Sequence, residues 1–189
     1  KDLDYRDNES PPLVTLSASS TVTEGNSATI TATLNITSSQ DVTVTLVYTN
    51  VTADGTDYTT STVEIVIPAG STTGTATVAT TGDSIDELDE SFQVGVSTVT
   101  NASDGSTPQS VTITDDDTSS VTLSASSSVD EGSNATITAT LSVSNSQDVT
   151  VTLVFNYVDA SSGDILTTTQ EIVIPAGSLS AAIDVATVD

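Results

Sequence analysis

The residues able to do chemistry in this chain are almost all carboxylates, and they are bunched. Glu24 stands before a long alternating run. Asp83, Asp86, Glu87, Asp89 and Glu90 crowd into residues 82–90, and Asp115, Asp116 and Asp117 are consecutive. Asp54 and Asp57 flank Gly55. Two carboxylates about 4 Å apart repel by roughly 1 kcal/mol in bulk water, and by roughly 4 kcal/mol at an effective dielectric of 20. A fold that gathers several of them needs a cation between them. Calcium takes six to eight oxygens at flexible angles and suits irregular loops that mix carboxylates with carbonyls; magnesium demands tighter octahedral geometry. The other reading of the same charges is a solvated acidic face that keeps the chain soluble.

The rest of the composition narrows the chemistry. The 189 residues hold 26 acids against 2 bases, Lys1 and Arg6, for a formal net charge of −24. Nucleic-acid binding is excluded, because it needs cations to replace the counterions of phosphate. Cysteine and histidine are absent, so zinc and copper sites and Ser-His or Cys-His nucleophiles cannot be built. A carboxylate-only glycosidase would want a sugar platform, and aromatics are only 3 % of the chain, so no enzyme is expected. No disulfide can staple the fold, which leaves a bound metal as the expected reinforcement. No apolar run of about 18 residues is present, so no membrane insertion is expected here. Lys1 does not read as a translation start and no leader is recognised, so a processed product or a window of a longer protein is expected.

The chain repeats itself. ValThrLeuSerAlaSerSer at 14–20 returns at 121–127, SerGlnAspValThrValThrLeuVal at 39–47 returns at 146–154, and GluIleValIleProAlaGlySer at 64–71 returns at 171–178. Every match sits 107 residues on, as in Glu24 and Glu131, without a gap. About 42 of the 69 aligned positions are identical, beyond chance for two β-rich stretches. Residues 3–9 align with 110–116, so the chain starts with the tail of a preceding repeat. The organisation predicted is a tail at 1–12, a complete repeat at 13–117, a linker at 118–120 and an incomplete repeat at 121–189.

Period-two alternation marks strands near 14–19, 28–36, 42–49, 62–67, 74–80, 92–99 and 110–114. Val42, Val44 and Leu46 share one face while Thr43 and Thr45 share the other. Turn chemistry at Gly25, Gly55, Gly70 and Gly105 separates the runs. Seven short strands within about 100 residues predict an all-β chain of tandem immunoglobulin-like Greek-key β-sandwiches, the second with its first five strands only. With antiparallel neighbours, Glu24, Asp54 with Asp57, residues 82–90 and residues 115–117 are expected on one rim.

The chain resembles the Calx-beta domains, the calcium-binding modules of sodium–calcium exchangers that also occur in large bacterial surface proteins. The resemblance rests on GluGly at 24, GlyThrAspTyr at 55–58, IleValIleProAlaGlySer at 65–71, AspSerIleAspGluLeuAspGluSerPhe at 83–92 and IleThrAspAspAsp at 113–117. It implies calcium ligands at Glu24, Asp57, Asp83, Glu87, Glu90, Asp115, Asp116 and Asp117, with the carbonyl of Ile85. In the second copy it implies Glu131, Asp164 and Asp189. The family usually carries Asp where this chain has Gly82, which implies fewer ions or a weaker site in the first copy.

The expected role is a calcium-binding structural repeat of an extracellular or cell-surface adhesin, matrix or filament protein, with calcium (Ca2+) stiffening domains and junctions. Its partners would be neighbouring repeats, copies of the same protein, or a cell-surface or matrix ligand. Two alternatives are a filament subunit, whose incomplete sandwich is completed by a strand from a neighbouring molecule, and a calcium-sensing module.

Overall fold

The computed structural model describes residues 10–189, apart from 60, 62, 63, 127, 159, 162 and 166–168. The tail at 1–9 and the start of the strand expected at 62–67 lie outside the described residues. The described chain is all-β and divides into two compact units. The first holds Asp89–Thr114 and the described residues up to Asp83; the second holds Ser84–Leu88 and Asp115–Asp189.

The first unit is a two-layer sandwich. Its strands are β1 (Leu13–Ala18), β2 (Thr21–Thr23), β3 (Ser27–Leu34), β4 (Val42–Asn50), β5 (Glu64–Ile67), β6 (Thr73–Ala79), β7 (Glu90–Thr100), β8 (Ser103–Asp104) and β9 (Gln109–Thr114). One sheet runs β6-β3-β1-β8 and the other β2-β9-β7-β4-β5. The alternation works as period two requires. Ala28, Ile30, Ala32 and Leu34 of β3 turn inward, as do Val42, Val44 and Leu46 of β4, and they join Ile65, Ile67, Phe92, Val94 and Val111 in one core. Apolar burial on facing sheets is the main stabilising term for so aromatic-poor a chain. Three of the chain's six aromatics meet here: Tyr58 stacks on Phe92 with ring centroids 4.0 Å apart, and Tyr48 meets both edge-on.

Two features depart from the expected seven antiparallel strands. The first strand is split at Ser19 and Ser20. Ser19 N–H still bonds Thr29 O (3.0 Å), while Ser20 O accepts Thr112 N–H (3.0 Å). The chain thus leaves β3's sheet and continues as β2 beside β9, in parallel, with Thr23 opposite Thr114. The second departure is β8, two residues long and parallel to β1.

The second unit repeats part of this plan. Its strands are β10 (Val121–Ala125), β11 (Asn134–Leu141), β12 (Val149–Val154), β13 (Thr169–Ile174) and β14 (Ser180–Ala186). They form a sheet β10-β11-β14 and a pair β12-β13, the counterparts of β1-β3-β6 and β4-β5. Its core is smaller, centred on Ala139, Leu141, Leu153, Ile172 and Ile174.

Candidate metal centre

The parallel pairing of β2 with β9 places Glu24. Thr23 ends β2 opposite Thr114, and the Glu24 amide extends the ladder by donating to Thr114 O (3.0 Å). The chain then turns back into β3 through Gly25, whose φ of 72° suits glycine. Asn26 N–H closes the turn on Thr23 O (3.2 Å).

The end of β6 brings in Asp83. Thr80, buried, donates from its amide (2.8 Å) and its hydroxyl (2.9 Å) to Asn26 O. Two residues later, Gly82 lies against Gly25. A Cβ on Gly82 would fall 3.0 Å from Gly25 N and 3.1 Å from Gly25 Cα. That approach seats the next residue beside Glu24, and Asp83 N–H donates to Glu24 Oε1 (3.3 Å). Carboxylate oxygens of Glu24 and Asp83 lie within 4.8 Å of each other. Two like charges at that spacing repel, and a cation between them reverses the sign.

The loop after β4 joins the same rim through its backbone. Asp57 O accepts Thr81 N–H (2.8 Å), and Tyr58 bridges Thr80. Asp57 also closes its own turn: Oδ2 accepts Asp54 N–H (2.6 Å) and Oδ1 accepts the Thr56 hydroxyl (3.2 Å). The Thr56 amide and hydroxyl, both bonded to Asp54 Oδ1, hold the Asp54 carboxyl below its ordinary range. Burial, then the charges of Asp57 and Asp54, push the Tyr58 hydroxyl up. It stays protonated and donates to Asn50 Oδ1 (2.6 Å). Glu90 opens β7 opposite Ile113, half-buried.

The structure therefore brings Glu24, Asp83 and the Asp57 turn together in the first unit, with Glu90 beside the end of β9. Asp115, Asp116 and Asp117 follow Thr114 directly, and one oxygen each of Asp115 and Asp117 is shielded from solvent. These three acids belong to the second unit. Ile85 and Glu87, both half-buried, belong to the second unit.

The contact that Asp86 makes escaped the sequence reading. Asp86 Oδ2 accepts the Ser119 amide (2.8 Å) and the Ser119 hydroxyl. Those two bonds, the hydroxyl's foremost, hold its carboxyl below the ordinary range. The signal was hidden because its partners lie 33 residues away, in a stretch without local pattern.

In the second unit, Glu131 and Asp164 line one hollow of about 480 Å³ with Val129, Ile165 and Thr187. Asp164 Oδ2 accepts Ser161 N–H (2.6 Å) and its carbonyl accepts Val188 N–H (3.0 Å). Thr187 repeats the paired hydrogen bonds of Thr80, donating from its amide (2.9 Å) and its hydroxyl (2.8 Å) to Ser133 O. Asp189 takes the place of Gly82, and its Cβ lies 3.5 Å from a Cβ built on Gly132.

No family model matches the chain, and no curated protein matches it. Among solved structures it is similar to CBD12 from CALX1.2, at 16 % identity over 93 % of this chain and 75 % of that one, with a TM-score of 0.48. The apo form of the Calx CBD1 domain is similar at 17 % identity over 55 % of this chain and 98 % of that one, with a TM-score of 0.47. The calcium binding domain CBD12 of CALX1.1 is similar at 18 % identity over 87 % and 70 %, with a TM-score of 0.46.

Proposed function

We propose that the first unit binds calcium on its acidic rim, through Glu24 and Asp83. One observation carries this reading. The backbone approach of Gly82 to Gly25 holds the Glu24 and Asp83 carboxylates within 4.8 Å, where neither gains from the other's charge. The donors are carboxylate oxygens, which fit a hard cation of flexible coordination. When bound, the ion supplies charge neutralisation and a crosslink between the turn after β2 and the segment after β6. Glu24 and Asp83 hold it, Asp57 O fixes the neighbouring turn, and the Gly25 turn sets the approach. An ion that binds only the folded state at 100 times its dissociation constant adds about 2.7 kcal/mol.

On this reading the protein is a calcium-rigidified structural repeat of an extracellular adhesin, matrix or filament protein. Its acidity suits a setting where calcium is plentiful, and the in-register repeat suits an array of such modules. Isothermal titration with calcium, with magnesium as the comparison, tests the binding. The reading expects calcium-selective heat that Glu24→Gln removes.

A further inference from the structure

In the second unit a loop grips a peptide segment. Asp86 N–H donates to Ser144 O (2.9 Å), Ser146 N–H donates to Asp86 O (2.9 Å), and the two strands form a parallel bridge at Asp86 and Asn145. Ser119 adds its amide and hydroxyl to the Asp86 carboxylate. The segment is held by both backbone and side chain.

The first unit builds the same loop 107 residues earlier, bond for bond. Gly70 N–H bonds Ser38 O (2.8 Å) as Gly177 N–H bonds Asn145 O (2.8 Å). Gln40 N–H bonds the Ser38 hydroxyl (3.0 Å) as Gln147 N–H bonds Asn145 Oδ1 (2.8 Å). Ala69 N–H bonds Asp41 Oδ1 (2.8 Å) as Ala176 N–H bonds Asp148 Oδ1 (2.8 Å). Asn35 N–H bonds Leu13 O (3.1 Å) as Ser142 N–H bonds Ser120 O (2.9 Å).

The occupant is what differs. Thr37 O and Ser39 N–H are the counterparts of Ser144 O and Ser146 N–H, and no described residue bonds to either. Thr37 and Ser39 are exposed where Ser144 and Ser146 are half-buried. Ile36 is 44 % exposed where Val143 is half-buried. Beside them lies an open groove of about 350 Å³, lined by Ser10, Pro12, Ile36, Thr37 and Ser39 among others.

We propose that this groove receives a segment of the Ser84–Leu88 type from another repeat of the same kind placed ahead of it in the chain. The backbone of the incoming Asp86 counterpart bridges Thr37 O and Ser39 N–H. The occupant is argued from the loop's identity with one that already holds such a segment, and from residues 3–9, whose pattern is that of 110–116. The grip is weaker than in the second unit for a stated reason. Pro12 stands where Ser119 stands and has neither an N–H nor a hydroxyl to offer the carboxylate. Two backbone bonds remain. The inference does not depend on the metal reading, because it uses neither Glu24 nor Asp83.

The test is amide hydrogen exchange, read residue by residue by NMR, on the chain and on a version with residues 1–107 fused ahead of Lys1, which keeps the repeat period. Ser146 serves as the internal reference for a gripped loop. Exchange at Ser39 is expected to slow at least about tenfold in the extended chain, and to slow further with Pro12→Ser, which restores the missing donors. Ser39 exchange unchanged in the extended chain, with Ser146 protected, overturns the proposal. Protection of Ser39 by a free peptide of residues 82–90, without protection in the extended chain, also overturns it and assigns the groove to a separate molecule.

Discussion

Gly82 and Gly25 touch backbone to backbone: a Cβ on Gly82 would sit 3.0 Å from Gly25 N and 3.1 Å from Gly25 Cα. The side chains that bear charge are their neighbours, Asp83 and Glu24. A missing side chain at one position therefore sets the spacing of two carboxylates. In the second unit Asp189 occupies the Gly82 position with its Cβ 3.5 Å from a Cβ on Gly132, so the second unit has room for the carboxylate that the first lacks.

Gly82→Ala is expected to destabilise the first unit by about 1 kcal/mol, because the neighbour to be displaced is backbone. Gly55→Ala, where nothing lies within 4 Å, is expected to be neutral or to stabilise by up to about 0.5 kcal/mol through the unfolded state. Urea denaturation of the two variants checks the contrast. Equal effects would remove the Gly25 contact from the account.

Tyr58 anchors the turn that carries Asp57. It is 2 % exposed, stacked on Phe92, and donates to Asn50 Oδ1. Tyr58→Phe is expected to cost about 1 kcal/mol for the lost hydrogen bond, and Tyr58→Ala about 3–5 kcal/mol for the cavity. Chemical denaturation measures both. A cost for Tyr58→Phe as large as that for Tyr58→Ala would move the weight from packing to the hydroxyl.

The two copies are each other's control. Leu16→Ala removes a buried side chain and is expected to cost about 2–4 kcal/mol. Leu123→Ala, at the same repeat position but 54 % exposed, is expected to cost under about 1 kcal/mol. Thermal melts of both variants decide it, and equal costs would show Leu123 to be covered in solution.

Asp86→Ala is expected to destabilise the second unit by about 1 kcal/mol, since it strands the Ser119 amide and hydroxyl. The backbone bridge to Ser144 and Ser146 should survive but exchange its amides faster. Amide exchange at Ser146 is the readout, and an unchanged rate would assign the grip to the backbone alone.

The sandwich was legible because its signals are local. Alternation in β3 and β4, the Pro-Ala-Gly turn at residues 68–70, and the in-register repeat all survive in a bare sequence. What escaped were relations between distant residues. The three residues of β2 are too short to show a period, and their parallel pairing with β9 depends on the chain switching sheets at Ser19 and Ser20. Gly82 reads in sequence as a lost ligand, whereas the structure gives it a steric role against Gly25. Asp86 reads as one more acid in a run; Ser119, 33 residues on, makes it an anchor. Glu24 and Asp83 stood out as clustered acids and, by the resemblance, as ligands, whereas the route by which they meet, through Thr114, Asn26 and Thr80, required the fold.

The most direct measurement is thermal unfolding of the chain and of the Glu24→Gln/Asp83→Asn variant, each in calcium, in magnesium and in chelator. The account predicts a calcium-specific rise in melting temperature for the chain, a rise abolished in the variant, and a variant in chelator no less stable than the chain in chelator because the repulsion is gone. A melting temperature of the chain unmoved by calcium, or a calcium shift that persists in the variant, would contradict it.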